Sequence, residues 1–236
     1  MRTIGLGLLF AIGVLIACVF VALPIFIRSL WRGARSFHPR GTVCRAELVA
    51  LDGGSRLVGP AMVRFSGATA DENSPDPSIL GMAIKMGSDQ DLPVATFESF
   101  VKTAEGRRNT NVADYLANQY ASVAPWRVQG LGVIWFRAIP AAQPADKTGT
   151  RVERLGADIA ADRARFTLEA REAPGADSKV IGTLAELRLV ERLPDDDQFK
   201  ISMFRTGRGL VPTGFRNGVR AIVYPVSQLA RRLRGH

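Results

Sequence analysis

Histidine and cysteine are scarce in this chain of 236 residues, which has two of each. His236 is the last residue, and His38 has no second histidine or cysteine at metal-ligand spacing, so a zinc site built from these residues is excluded. Cys18 lies in a long apolar run and Cys44 outside it, which rules out a disulfide framework within one chain. Asp195, Asp196 and Asp197 cluster without the ligand spacing of a calcium loop and read as a solvated turn. No G-x-S-x-G elbow, phosphate-binding loop or dinucleotide fingerprint occurs, since the glycines of "GLGLLFAIG" fall in the apolar run. Blocks of five or six like charges are absent, as are RNA- and DNA-binding signatures. The formal charge of +9, carried mainly by arginine, therefore does not point to nucleic acid. An anionic membrane surface or an anionic ligand remains.

What the chain does have begins at once. Residues 4 to 27, "IGLGLLFAIGVLIACVFVALPIFI", carry no charge over 24 positions. About 20 residues suffice to cross the ~30 Å hydrocarbon core of a bilayer. A cleaved signal peptide would be shorter and would end in a small-x-small site. "LIAC" resembles a lipoprotein box, but the residues after Cys18 stay apolar where a mature lipoprotein turns polar. The reading is an uncleaved, single-pass anchor in the cell (inner) membrane, residues 1–30, followed by a soluble domain, residues 31–236. Arg28, Arg32, Arg35 and Arg40 follow the run and only Arg2 and the terminal amine precede it, so the positive-inside rule places the domain in the cytoplasm.

The soluble part shows no repeat and no low-complexity linker. "TVCRAELVAL", "PAMVRFSGA", "LGMAIKMG", "LPVATF", "GLGVIWFRAIP", "ARFTLEAREA" and "GTLAELRLVERL" read as strands, with Phe166 and Leu168 alternating against Thr167 and Glu169. Helical patterning is expected in "FESFVKTAEGRR" and in "NVADYLANQYASVA", where Val112, Tyr115, Leu116, Gln119 and Tyr120 would share a face. The class is α+β: antiparallel strands, closed into a barrel that removes exposed edges, with flanking helices and one preceding transmembrane helix.

Two stretches stand out chemically. His38 sits in "ARSFHPRGTVC", just before the first strand, where by itself it reads as a junctional histidine beneath the membrane. In "RAIVYPVSQLARR", residues 220–232, Arg220, Tyr224, Gln228 and Arg231 fall at helical spacings and share one stripe. A tyrosine between arginines on an inward stripe is an odd use of a polar ring. Either it is a core phenol bonded to Arg220, or it faces a ligand.

Taken in order, these stretches resemble the catalase superfamily, specifically its small bacterial catalase-like peroxidase branch. "RSFHPRG" is similar to the family's R-x-x-H-x-K/R-G, "VRFS" to its second strand, "DPSILGMAIKM" to its D-x-x-G-x-A-x-K stretch and "RAIVYP" to its R-x-x-x-Y-P. The matches span residues 35 to 231. The resemblance implies a haem b cofactor whose iron is ligated by Tyr224. Phenols ionise near pH ~10, so a ligating tyrosine must be held as phenolate, and Arg220, one turn earlier, can donate to that oxygen. Arg35, Arg64 and Arg231 would hold the propionates, for which forked guanidiniums are well suited. His38 would move the proton of a bound peroxide, with Ser66 orienting its imidazole.

Two departures bear on the activity. The family's distal asparagine has no counterpart in "DQDLPVATFESF", where Thr96 is the nearby donor, so peroxidase or peroxygenase-like chemistry fits better than rapid dismutation. The chain is also far shorter than a full catalase, so a tetramer of the catalase kind is not implied and the oligomeric state is left open. The expected partners are haem, a peroxide substrate and the bilayer. Two other readings are a catalase fold without chemistry, serving as a membrane-bound interaction module, and a haem-dependent isomerase of fatty-acid hydroperoxides.

Overall fold

The computed structural model describes residues 2–33, 38–39, 41–51, 57–67, 79–98, 102–144, 148–193 and 199–234. Eight strands run antiparallel to their neighbours: β1 (Gly41–Ala50), β2 (Gly59–Gly67), β3 (Leu80–Met86), β4 (Gln90–Ala95), β5 (Tyr120–Ala121), β7 (Gly132–Pro140), β8 (Arg165–Arg171) and β9 (Val180–Leu193). They are ordered β7-β5-β4-β3-β2-β1-β9-β8, and β8 pairs back onto β7, so the sheet closes into a barrel. β6 (Trp126–Val128) and β10 (Leu210–Pro212) extend from β7 as a short ribbon outside it. The strand patterns of the sequence are borne out, including the buried Phe166, Leu168 and Ala170 of β8.

Alternation puts one residue in two into the barrel. Val63, Phe65, Leu80, Met82, Ile84, Tyr120, Phe136, Phe166 and Leu187 belong to a single buried cluster. Phe65 is its hub, with ring centroids 4.9 Å from Tyr115 and 6.0 Å from Phe166. Fully burying side chains of this size is worth about 1.5–3 kcal/mol each. Along β2 the intervening Arg64 and Ser66 therefore point to the outer face, yet both are buried, because further chain covers them.

Helices flank the barrel: α3 (Thr103–Asn109), α4 (Arg151–Ala160) and α5 (Gly214–Arg232). The start of α4 is fixed by a capping box between Thr150 and Glu153, a T-x-x-E signature present in the sequence as "TRVE". The segment "NVADYLANQYASVA" is not the helix its spacing predicts. Asn118 accepts from the Asn111 N–H at 2.8 Å and donates to the Asn111 carbonyl at 2.8 Å and the Asp114 carbonyl at 2.5 Å. Asp114 accepts from Leu116 N, and Asn111 from Ala113 N. These short side chains take backbone groups that a helix would need, and the chain coils into turns before entering β5.

The apolar N-terminal segment forms α1 (Arg2–Ile16), a π turn (Ala17–Val21) and α2 (Ala22–Arg32). The Ala22 N–H reaches back to the Ala17 carbonyl, and the widened turn precedes Pro24, which has no N–H to offer residue 20. Ile4–Arg32 is long and apolar enough to cross a membrane, a test that a signal sequence also passes. The segment lies along α5. A Cβ on Gly13 would collide with the Phe215 carbonyl, one on Gly218 would collide with the Phe10 carbonyl, and the buried Ser29 and Ser227 hydroxyls are 2.8 Å apart.

The turn network at Asn118 gives a direct test of the fold. Asn118→Ala removes an acceptor and two donations at a site that is 6% exposed. Denaturant unfolding should show a loss of about 1–3 kcal/mol. Unchanged stability would mean the segment does not depend on these bonds.

Candidate functional site

One row of the barrel's outer face is built from small residues. Gly41 pairs with Ser66, Ser66 with Gly81, Gly81 with Ala95, Ala95 with Ala121, and Ala121 with Arg137. Residues opposite one another share a face, so Gly81, Ala95 and Ala121 make a low floor beside Ser66. His38 stands on it. A Cβ on Gly81 would fall 2.5 Å from His38 Cε1 and 2.9 Å from Nδ1, so only glycine admits the imidazole there. Ser66 Oγ lies 2.8 Å from His38 Nδ1. Arg64 Nη2 donates to the His38 carbonyl at 3.1 Å. His38 itself has φ of +56°, a conformation that few residues other than glycine adopt.

From the same floor the apolar side chains Ile79, Ala95 and Val123, with Phe97 against them, form a second small cluster. Beyond it a cavity of about 430 Å³ opens, lined by Ala95, Thr96, Glu98, Ala121 and Arg137 among others. Arg137 donates to Glu98 at 2.6 Å and to Gln119 at 2.8 Å. Burial alone would raise the Glu98 carboxyl, but the Arg137 and Lys102 bonds outweigh it and hold the group below its ordinary range. The hydroxyl of Thr96 lies 2.7 Å from Thr110 Oγ1 and accepts from the Leu80 N–H at 3.1 Å, which ties it into the loop.

Helix α5 arrives at this end of the barrel through its arginines. Arg220 Nη1 donates to the Ser122 carbonyl and Arg216 Nη1 to the Val123 carbonyl, each at 3.2 Å. Val123, like His38, holds a positive φ, here +63°. Strained residues of this kind persist where surroundings over-determine them. In both cases a guanidinium grips the strained residue's carbonyl. Burial, and then the neighbouring Arg220, lower the Arg216 guanidinium to about 10. Arg220 and Arg216 thus stand one and two turns ahead of Tyr224 on α5.

The positions of the residues singled out by sequence are as follows. His38, Ser66 and Arg64 are brought together. Arg220, Tyr224 and Arg231 share α5, Arg231 being 4% exposed and Tyr224 half-buried against the main core. Arg220 bonds Ser122 and Asn217, not the Tyr224 hydroxyl. Arg35 lies outside the described residues. Sequence reasoning missed Arg216 and Gly81. Arg216 is legible by extending the stripe one turn back, and Gly81 stands inside "DPSILGMAIKM". The strain at Val123 has no sequence signal.

No protein-family model matches the chain, and a search of curated proteins finds no match. Among solved structures, the crystal structure of a fungal catalase at 1.9 Å matches with a TM-score of 0.58 at 13% identity, over 84% of this chain. The fold is catalase-like. The chain spans 59% of that catalase's length, and at this identity the likeness is one of fold.

The residues present fit a haem by their chemistry. Among the described residues no group of three or more His, Cys, Asp and Glu side chains could hold a bare metal ion. What the outer wall offers instead is an oriented imidazole over a floor of small residues with the buried Arg64 beside it, while α5 carries a phenol and the buried Arg231. Gly81→Ala tests the floor directly. The added methyl should displace the imidazole while the strand remains paired, and the 15N resonances of His38 should lose the pattern set by the Ser66 contact. Unchanged resonances would show that the floor does not seat His38.

Proposed function

We propose that the chain is a membrane-bound, haem-dependent peroxidase of the small bacterial catalase-like branch, acting on hydrogen peroxide or organic hydroperoxides. The observation that carries this reading is the Ser66–His38 contact at 2.8 Å on the outer wall of a catalase-like barrel. Residues 1–30 are the membrane segment and residues 31–236 the haem domain.

Haem, held by the Tyr224 oxygen with Arg35, Arg64 and Arg231 toward its propionates, supplies the redox chemistry of peroxide cleavage. The protein supplies proton handling and position. When His38 Nδ1 donates to Ser66 Oγ, Nε2 keeps its lone pair and can take a proton from the peroxide oxygen. The imidazolium so formed returns that proton to the departing oxygen, which leaves as water or an alcohol. Arg64 steadies the backbone of the base through the His38 carbonyl. Arg216 and Arg220 lie ahead of the ligand on the same helix and fix that helix to the barrel through the Val123 and Ser122 carbonyls.

The reading in which the fold serves without chemistry is favoured by one observation. The distal asparagine is missing, and the Thr96 hydroxyl that stands near its place is already bonded to Thr110 and Leu80.

Two variants separate these readings. The purified protein should show a high-spin ferric haem spectrum of phenolate type, and Tyr224→Phe should lose haem or change that spectrum while unfolding normally, since the ring volume is kept. Haem carried by Tyr224→Phe with an unaltered spectrum would rule out this ligation, and no haem in either protein would leave the interaction module. His38→Ala should retain haem but react with peroxide about 10²- to 10⁴-fold more slowly in stopped flow. An unchanged rate would remove His38 from the mechanism.

A further inference from the structure

We infer that α1–α2 and α5 form one continuous face that lies in the plane of the membrane, immersed in a single leaflet rich in anionic lipid, so that the chain does not cross the bilayer. The inference rests on the membrane reading of residues 4–27 and changes its geometry.

The first ground is how the N-terminal helix is held. It is docked along its length, with Leu6 beside Gly214, Phe10 and Val14 on Gly218, Gly13 on Phe215 and Ser29 on Ser227. At its end, Arg234 Nη1 donates to the Trp31 carbonyl at 2.7 Å. The partners rise together in number, so the helices run parallel. Paired glycines allow backbone contact of the kind that membrane helices use. Helix α5 is in turn fixed to the polar barrel rim. Asn217 donates to the Pro125 carbonyl at 3.0 Å, Arg216 and Arg220 to the carbonyls of Val123 and Ser122, and Gln228 to that of Ile201. A helix of 29 residues spans ~44 Å at ~1.5 Å per residue. Stood on end across a bilayer, it would draw this rim and its guanidiniums into hydrocarbon, where unsatisfied polar groups and charges are costly. Lying flat, it keeps this rim outside the hydrocarbon and leaves the arginines at its end at headgroup level.

The second ground is the shape of the exposed apolar surface. Facing away from α5, Leu8, Leu15, Val19, Phe20, Leu23 and Ile27 are each more than half exposed. The surface does not stop at the anchor. Phe215, Leu229 and Leu233 of the C-terminal helix region and Phe204 of the preceding loop are exposed as well, Phe204 at 63% and Leu233 at 66%. A cavity of about 350 Å³, lined by Gly7, Phe10, Met203 and Phe204, joins helix and domain. A span confined to the N-terminal segment does not account for Phe204, Phe215, Leu229 and Leu233, whereas a leaflet covering one flank would cover them as well.

Charge selects the lipid. No acidic residue occurs in α1, α2 or α5, while Arg28, Arg32, Arg232 and Arg234 are exposed at one end of the face with Trp31 beside them. Basic residues beside an apolar face, with tryptophan at headgroup level, suit an anionic interface.

The test uses the full-length chain with Cys18→Ser, since Cys44 is buried, and single cysteines at Arg2→Cys or Arg32→Cys. Each is expressed in bacterial cells and exposed to a membrane-impermeant maleimide, in spheroplasts and in inverted vesicles. Both ends should label from the same side. Labelling of the two ends from opposite sides would overturn the in-plane arrangement while leaving membrane binding intact. Separately, the purified protein should float with vesicles containing phosphatidylglycerol at least about tenfold more than with phosphatidylcholine vesicles, as four basic residues near the surface imply. Equal flotation with both would remove the anionic preference. Failure to float with either, with elution as a dimer, would mean that a second copy covers the face, and the membrane reading would fall with it.

Discussion

The six register pairs between β7 and β8, from Trp135–Arg171 to Pro140–Phe166, turn an open sheet into a barrel. Closure matters because it gives the sheet a defined inside. Once Phe65, Tyr120 and Phe166 occupy that inside, strand alternation obliges Arg64, Ser66, Gly81, Ala95 and Ala121 to the outside. A slip of one residue would exchange the two sets and place an arginine in the apolar core. The candidate site is thus a consequence of register: the same pairing that packs the aromatics aligns the floor under His38.

Onto this wall the chain brings two segments that are distant in sequence. The segment before β1 contributes His38, seated by the absence of a side chain at Gly81 and gripped by Ser66 and Arg64. The last helix, which carries Tyr224, is fixed to the same end by donation from Arg220 and Arg216 into the carbonyls of Ser122 and Val123. Ser122 directly follows Ala121, the fourth strand position along the row that begins at Ser66, so both segments meet one end of the barrel. Guanidiniums hold the carbonyls of both His38 and Val123, the two residues with positive φ at this end. Two of the three non-glycine residues with positive φ among the described residues, His38 and Val123, thus lie at this end of the barrel, and the third, Asp162, precedes β8.

The N-terminal helix adds a constraint of its own. Because Gly13 and Gly218 let backbones touch, the apolar segment and α5 behave as a pair, and whatever solvates the first also borders the second. The helix that carries Tyr224 therefore lies directly against the apolar segment.

Much of this was legible in the residues themselves. The strands follow from alternation, the apolar segment from an uncharged run, and the motifs at His38, Ser66 and Tyr224 from their resemblance to those of the catalase superfamily. Where sequence reasoning failed, local chemistry overrode periodicity. Residues 111–119 have helical spacing, but Asn111, Asp114 and Asn118 compete for the backbone and win. The sequence by itself determined which residues are apolar, which alternate and which polar groups are available, because those are properties of single side chains and their neighbours in the chain. Only the tertiary structure decided that Arg220 grips a barrel carbonyl in preference to its own tyrosine, that Gly81 lies under His38, and that the apolar segment lies along α5. Each of these depends on contact between segments far apart in the chain, and the register and closure of the barrel set those contacts.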